Sequence, residues 1–272
     1  MENTRAKTTR NSLILLLTAT IWGMAFVSQS KGMDYMHPFT FNGVRSLIGA
    51  AGILLYILIS RKIAGDKAAK LDWKLNVKAG LLCGIFLTIA STLQQFGIKY
   101  TSVGKAGFIT TLYIIFVPMF GIFLKKKVAP VVWAAAGMAA VGMYLLCMTE
   151  SLRLGAGDIM VFLCAIAFAI QIMTVDHYAA RIDGAVVSCI QFTVCGVVCC
   201  IGALIWGQPT FGQLQEGMGA LLYAGVLSCG VGYTLQIVGQ KGLNPTVAAL
   251  IMSLESVIAT ISGWIAYKIG FL

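Results

Sequence analysis

Apolar residues run through this chain in blocks of about twenty, separated by short polar or charged links, and nine such blocks occur. They fall at 12–30, 39–60, 77–98, 104–124, 129–148, 157–176, 185–206, 217–238 and 246–266. About twenty apolar residues in a helix cross the hydrocarbon core of a bilayer, and within lipid only helices or closed barrels satisfy every backbone N–H and C=O. The pattern predicts an all-α membrane protein, a polytopic helical bundle of nine spans. Short links make consecutive helices antiparallel neighbours. Turn signals sit in several of them: His37-Pro38 before the second span, Gln208-Pro209 before the eighth and Asn244-Pro245 before the ninth.

A second, longer period underlies the first. A shift of 142 residues sets the third and fourth spans on the eighth and ninth without a gap. Thr92-Leu93-Gln94 falls on Thr234-Leu235-Gln236, Gly97 and Lys99 on Gly239 and Lys241, and Ala106, Ile109, Leu112 and Gly121 on Ala248, Ile251, Leu254 and Gly263. The earlier spans match more faintly at a shift of 146, which sets Trp22 against Phe168 and Arg45 against Gln191. An odd number of spans per copy makes the second copy enter the membrane from the opposite side. That is the scaffold of an inverted 5+5-type repeat, with a first unit at 1–148 and a second, shorter unit at 149–272. Secondary transporters are commonly built this way, with substrate near the midplane between the halves. The second unit has four spans, so the tenth helix of a full pair is expected to be missing, either naturally or because the reading frame is cut short.

Composition sharpens the membrane reading. The 272 residues are 58% hydrophobic and 11% charged, with a mean hydropathy of +0.86. No soluble domain of this size buries so much apolar surface. The net charge of +10 is distributed by topology. Fourteen of the twenty Lys and Arg residues share one side under nine-span threading: Arg5, Lys7, Arg10, the 61–78 link, Lys125–Lys127, Arg181 and Lys241. The positive-inside bias places the N-terminus in the cytoplasm, and the plasma membrane is the expected location. Basic residues scattered at helix ends without interleaved aromatics argue against nucleic acid as a partner. The apolar run Leu13–Val27 is long for a cleavable leader and no small-residue cleavage site follows it.

Several motifs resemble those of the drug/metabolite transporter superfamily, EamA type. They are Ile21-Trp22-Gly23-Met24-Ala25-Phe26-Val27, Asn42-Gly43-Val44-Arg45, Gly107-Phe108-Ile109-Thr110-Thr111-Leu112-Tyr113 through Pro118, and Leu254-Glu255-Ser256-Val257-Ile258-Ala259 followed by Gly263-Trp264. The resemblance implies ten helices, both termini cytoplasmic, a central cavity lined by helices one to four and six to nine, and export as the direction of transport.

Polar residues deep in a bilayer are expensive and usually face the bundle interior. Arg45 in the second span and Glu255 in the ninth are the ionisable candidates. Arg45 reads as the holder of an anionic group or as a structural anchor. Glu255 reads as a proton-coupling carboxylate, an amine-binding group or the salt-bridge partner of Arg45. Gln94, Gln95, Gln171, Gln191 and Gln236 are candidates for a hydrogen-bonding cavity wall or for plain interhelical glue. Trp22, Phe26 and Tyr113 could stack a flat substrate. Pro118 is a candidate kink in the fourth helix, and Gly80 and Gly84 a close-packing pair in the third. Cysteines inside the spans, Cys195 and Cys199 included, read as small apolar filler rather than metal ligands. His37 and His177 read as link residues.

No GxxxxGK[ST] segment is present, so nothing points to direct ATP drive. The expectation is a secondary transporter of small metabolites, amino acids or drug-like molecules working by alternating access, without a cofactor. Proton coupling and pairing with a second copy of the chain go with that expectation. A non-transporting remnant and a membrane-embedded enzyme are the alternatives. The enzyme would need clustered His, Asp or Glu residues at one depth, which the sequence does not offer.

Overall fold

A computed structural model describes residues 2–65, 71–123 and 155–271 continuously, with 130–131, 133–134, 137–138, 141–142 and 145 between them. Among the described residues, eight helices are long and apolar enough to cross a membrane: Ala6–Gly32, Pro38–Ala64, Trp73–Ile98, Val103–Phe123, Ala156–Tyr178, Gly184–Gly207, Met218–Gln240 and Pro245–Lys268. They match eight of the nine sequence blocks. The fifth block, 129–148, lies partly outside the described residues. Those of it that are described are helical, with Val131, Trp133, Met138, Val141 and Leu145 exposed. This is a multi-pass helical membrane protein.

The helices are α1 (Glu2–Gly32), α2 (Pro38–Ala64), α3 (Trp73–Ile98), α4 (Val103–Thr110), α5 (Tyr113–Phe123), α6 (Ala156–Tyr178), α7 (Gly184–Gly202), α8 (Phe211–Glu216), α9 (Met218–Leu222), α10 (Tyr233–Gln240), α11 (Pro245–Met252) and α12 (Glu255–Lys268). Side chains cap several starts. Asp183 accepts from the backbone N–H of Ala185 and Val186, Asn244 from that of Thr246, and Asp72 from that of Leu75. Each satisfies donors that a helix N-terminus leaves unpaired. Pro38 and Pro245 open their helices, where a missing N–H costs nothing.

Two sequence expectations about continuity need correction. The seventh and eighth spans leave the α-helix for wider π turns, at Ala203–Gly207 and Tyr223–Gly232. The fourth and ninth spans are each broken in two. One break separates Thr110 from Tyr113 and the other Met252 from Glu255, 142 residues apart. Pro118 is not the cause. It lies inside α5 beyond the break, and the ninth span breaks in the same way with no proline near. A hydroxyl sits at the same place in both breaks. Thr111 Oγ1 donates to the carbonyl of Phe108, and Ser253 Oγ to that of Leu250, both at 2.8 Å and both three residues back. Backbone bonds tighten with them, Leu112 to Ile109 and Ile114 to Thr111 in one break, Leu254 to Ile251 and Ser256 to Ser253 in the other. A hydroxyl that captures a carbonyl of the preceding turn competes with the helical ladder and bends it.

The most extensive helix contacts join the first half of the chain to the second. α2 packs on α7 and on Tyr223–Gly232, α3 on α6 and α7, α1 on α12, and α4 on α12. Within the first half, α2 and α3 touch far less. Small residues let the backbones approach. A Cβ at Gly80 would lie 2.6 Å from Ile190 Cβ, and one at Gly84 2.9 Å from Val194 Cβ, so the predicted glycine pair seats α3 on α7. Without a hydrophobic drive between helices in lipid, such close packing and interhelical hydrogen bonds hold a bundle together.

Candidate functional site

Between the two halves lies a narrow cavity of about 40 Å³, room for a few waters. Trp22, Ala25, Phe26 and Gln29 of α1 form one wall. Spacings of three, four and seven residues set Trp22, Phe26 and Gln29 on one helical face. Arg45 and Ser46 come from α2; Leu87, Ser91 and Gln94 from α3; Thr110 and Tyr113 from either side of the first break. The second half supplies Phe168, Gln171 and Ile172 from α6, Phe192 from α7, and Ser228, Cys229, Tyr233 and Gln236 from the eighth span. Glu255, at the second break, completes the lining.

Eight of the ten residues singled out in the sequence therefore meet around one space: Trp22, Phe26, Arg45, Gln94, Tyr113, Gln171, Gln236 and Glu255. The other two stand behind it. Gln95 is fully buried and donates through Nε2 to the carbonyl of Gln29 at 3.0 Å, tying α3 to α1. Gln191 accepts from Gln171 Nε2 at 3.4 Å, while Gln171 Oε1 accepts from Gln236 Nε2 at 3.2 Å. That amide chain crosses from α7 through α6 to α10. On the opposite side of the cavity, Gln94 Nε2 donates to Thr110 Oγ1 at 3.2 Å.

The two breaks meet. Tyr113 Oη donates to Glu255 Oε1 at 3.0 Å, and each is the first helical residue after its break. Both are buried, at 2% and 3% exposure. Tyr113 and Glu255 are 142 positions apart, so this bond joins equivalent positions of the two spans. The alternative pairing of Glu255 with Arg45 is not formed: among the described residues no ion pair involves Arg45. Its Nε is buried without a hydrogen-bond partner, and its Cζ lies 5.3 Å from the centre of the Phe41 ring.

An aromatic face lines the cavity beside these groups. The Trp22 and Tyr233 rings are 4.5 Å apart, and Phe192 meets Tyr233 edge-on at 5.0 Å. The indole sits where a side chain at Gly232 would be, since a Cβ there would lie 2.7 Å from Trp22 Nε1. The wide turns of Tyr223–Gly232 thus make room for it. Sequence reasoning missed Gln29, Ser46, Thr110, Phe168, Phe192 and Tyr233 as lining residues. Helical spacing from Trp22 pointed to Gln29, and the 142-residue shift sets Tyr233 on Ser91. Nothing in the sequence marked Phe192.

A buried ion pair closes one end of the interface between the halves. Lys105 Nζ, in the first turns of α4, lies 2.7 Å from Asp158 Oδ2 in the first turn of α6. The same carboxylate accepts from Thr101 Oγ1 at 2.7 Å and from the Gly155 backbone N–H at 2.9 Å. The opposite end carries bonds to backbone instead. Asn76 Oδ1 accepts from the Asp183 N–H at 2.9 Å, and Asn11 Nδ2 donates to the Lys241 carbonyl at 2.7 Å. Cys195 accepts from Ser46 Oγ at 3.5 Å and shares a hydrogen bond with Ser91 Oγ at 3.4 Å, which makes it packing within the α2–α3–α7 contact. No three His, Cys, Asp or Glu side chains gather to hold a metal among the described residues. In the link before α2, His37 packs against Phe96. Its imidazole is held below the usual range, first by burial and then by the charge of Lys99.

The sequence matches the model of the EamA-like transporter family twice, over residues 10–148 and 155–271. A protein of Archaeoglobus fulgidus named an uncharacterized transporter is 30% identical over 171 residues, 61% of this chain and 48% of that protein. The match thus spans about half the length of that relative. The uncharacterized transporter YwfM of Bacillus subtilis is 26% identical over 256 residues, 93% of this chain and 84% of that protein. A solved crystal structure superposes with a TM-score of 0.73 at 17% identity, covering 97% of this chain and 89% of the other, which shows a shared fold.

Proposed function

The chain belongs to the EamA-like transporter family, and from that premise we propose that it moves a small organic molecule across the plasma membrane by alternating access, outward and coupled to protons. The central cavity is the substrate site in this reading, closed here to about 40 Å³ and widened when one side opens to admit substrate. The two units, 1–148 and 149–272, meet around it, with the N-terminus cytoplasmic as the basic residues suggest. The observation that carries the reading is the meeting of the two equivalently broken spans at Tyr113 and Glu255 inside a polar cavity. Discontinuous helices at corresponding positions of two repeats are where secondary transporters place their sites. Glu255 is the proton carrier in this scheme, because a carboxylate on the cavity wall can gain or lose a proton as the substrate comes and goes. Tyr113 steadies whichever form is present.

The test is transport by the purified chain in liposomes, with and without a proton gradient. Wild-type protein is expected to accumulate substrate against its concentration when the gradient is applied. Glu255→Gln is expected to retain downhill exchange and to lose the stimulation. Full gradient dependence in the variant would remove Glu255 from the scheme, and no substrate movement by wild type across a metabolite panel would remove transport itself.

A further inference from the structure

The transport reading leaves the class of substrate open, and an inference about that class rests on it. Arg45 points the way. The residue is 5% exposed and lines the cavity. Its Nε has no hydrogen-bond partner, and no carboxylate pairs with it among the described residues. The acid on the same cavity, Glu255, is engaged by Tyr113 instead. A desolvated charge with no counter-ion costs several kcal/mol, so the site is built to recover that cost from something that enters. A second unmet donor lies on the same walls: Trp22 Nε1 is buried with no partner.

Two unmet donors, one cationic and forked, match the oxygens of a carboxylate, which the guanidinium plane can take in two parallel bonds. The surface around them is flat and apolar, made by the Trp22, Tyr233 and Phe192 rings. We propose that the cavity selects an organic monoanion, an aromatic or similarly flat apolar body bearing one carboxylate, with Arg45 and the Trp22 indole N–H holding the carboxylate. A cationic amine meets repulsion from Arg45. A neutral amide leaves the guanidinium without its counter-charge. A multiply charged anion finds a single cation.

Sodium phenylacetate, phenylacetamide, phenethylamine and phenylalanine serve as probes on the purified full-length chain. Binding is read as the saturable rise in melting temperature that a ligand of the folded state produces. Phenylacetate is expected to bind at least about tenfold more tightly than the amide or the amine, the worth of one charge-assisted hydrogen bond. Arg45→Gln is expected to abolish that preference. Arg45→Lys keeps the charge and loses the fork, so it covers the case in which the Gln variant does not fold; it is expected to weaken phenylacetate several-fold. Trp22→Phe keeps a ring and loses the donor, with a loss of about threefold. Equal affinity for acid and amide, or tight phenylalanine binding without phenylacetate binding, overturns the proposal. Counterflow in liposomes separates the two readings. Movement of the amide or amine in preference to the acid sinks the anion site and keeps the transporter. Saturable phenylacetate binding with no movement of any probe keeps the anion site and sinks the transporter.

Discussion

The spans Val103–Phe123 and Pro245–Lys268 share one sequence pattern and hold different positions. They share the 142-residue register, the break, the hydroxyl beside it and a place at the cavity. They differ in their surroundings. In the most apolar 18-residue stretch of each, 61% of the fourth span is buried but only 28% of the ninth. Val247, which occupies the position of Lys105, is exposed, whereas Lys105 is buried in its ion pair with Asp158. Glu255 stands where the fourth span has Tyr113. What the two spans keep in common is the local backbone device. What they have allowed to diverge is the chemistry of the first residue after it and the outer face of the helix. Divergence of that kind turns a symmetric frame into a site with one acid and one phenol rather than two of either.

The ion pair is where the comparison should break most visibly. Asp158→Asn keeps one of the two oxygens that serve Thr101 and the Gly155 N–H and removes the carboxylate from a buried ammonium. Losing one partner of a buried pair costs about 3 kcal/mol or more, so the melting temperature of the purified chain should drop by several degrees. A Lys105→Met, Asp158→Asn double variant should recover much of that loss, because it removes the ammonium together with the carboxylate. Val247→Ala in the ninth span, exposed and unpaired, should change stability little. A double variant no more stable than Asp158→Asn alone would mean that the loss is not electrostatic.

The close approach of α4 to α12 gives the next contrast. A Cβ on Gly107 would lie 2.7 Å from Ala259 Cβ, while its equivalent, Ala249, already carries one and is fully buried. Gly107→Ala is expected to force the two helices apart and to cost about 2 kcal/mol, as overpacking does. The mirror change, Ala249→Gly, should cost about 1 kcal/mol through helix propensity and the lost methyl. Thermal unfolding compares the two. Equal effects would mean that α11 is packed as tightly as α4, against the burial difference between the spans.

Much of this was legible in the sequence, because the signals involved are periodic. Twenty-residue apolar blocks mark spans whatever their neighbours, and the 142-residue register placed Gln94 with Gln236 and Tyr113 with Glu255 before any contact was seen. The register even held at Thr111 and Ser253, but the breaks beside them were not read. A mid-span hydroxyl normally bonds one turn back without consequence, and only the joint tightening of the backbone distinguishes these two. Gln95 and Gln191 were placed on the cavity by residue type, yet they sit one layer behind it, a distinction of helix rotation that polarity alone does not carry. Lys105 and Asp158 looked like ordinary helix-end charges. Their pairing depends on how α4 and α6 lean together, which is tertiary.

The smallest expected effect tests the shared device itself. If the Thr111 and Ser253 hydroxyls bend their spans by capturing carbonyls, Thr111→Val and Ser253→Ala remove the competitor and leave the backbone bonds to choose. Each deletion of a partly satisfied hydroxyl is worth about 0.5 kcal/mol, so stability should hardly move. Geometry should move instead. Distances between spin labels placed on either side of each break should lengthen as the span straightens, by a similar amount in both spans. The Tyr113–Glu255 bond depends on both breaks, so either variant should loosen it and weaken the proton-driven component of transport. Should one span straighten and the other keep its bend, the hydroxyl explains only one of the two. The surviving bend would then be set by packing, which for the fourth span means its deeper burial against α6 and α12.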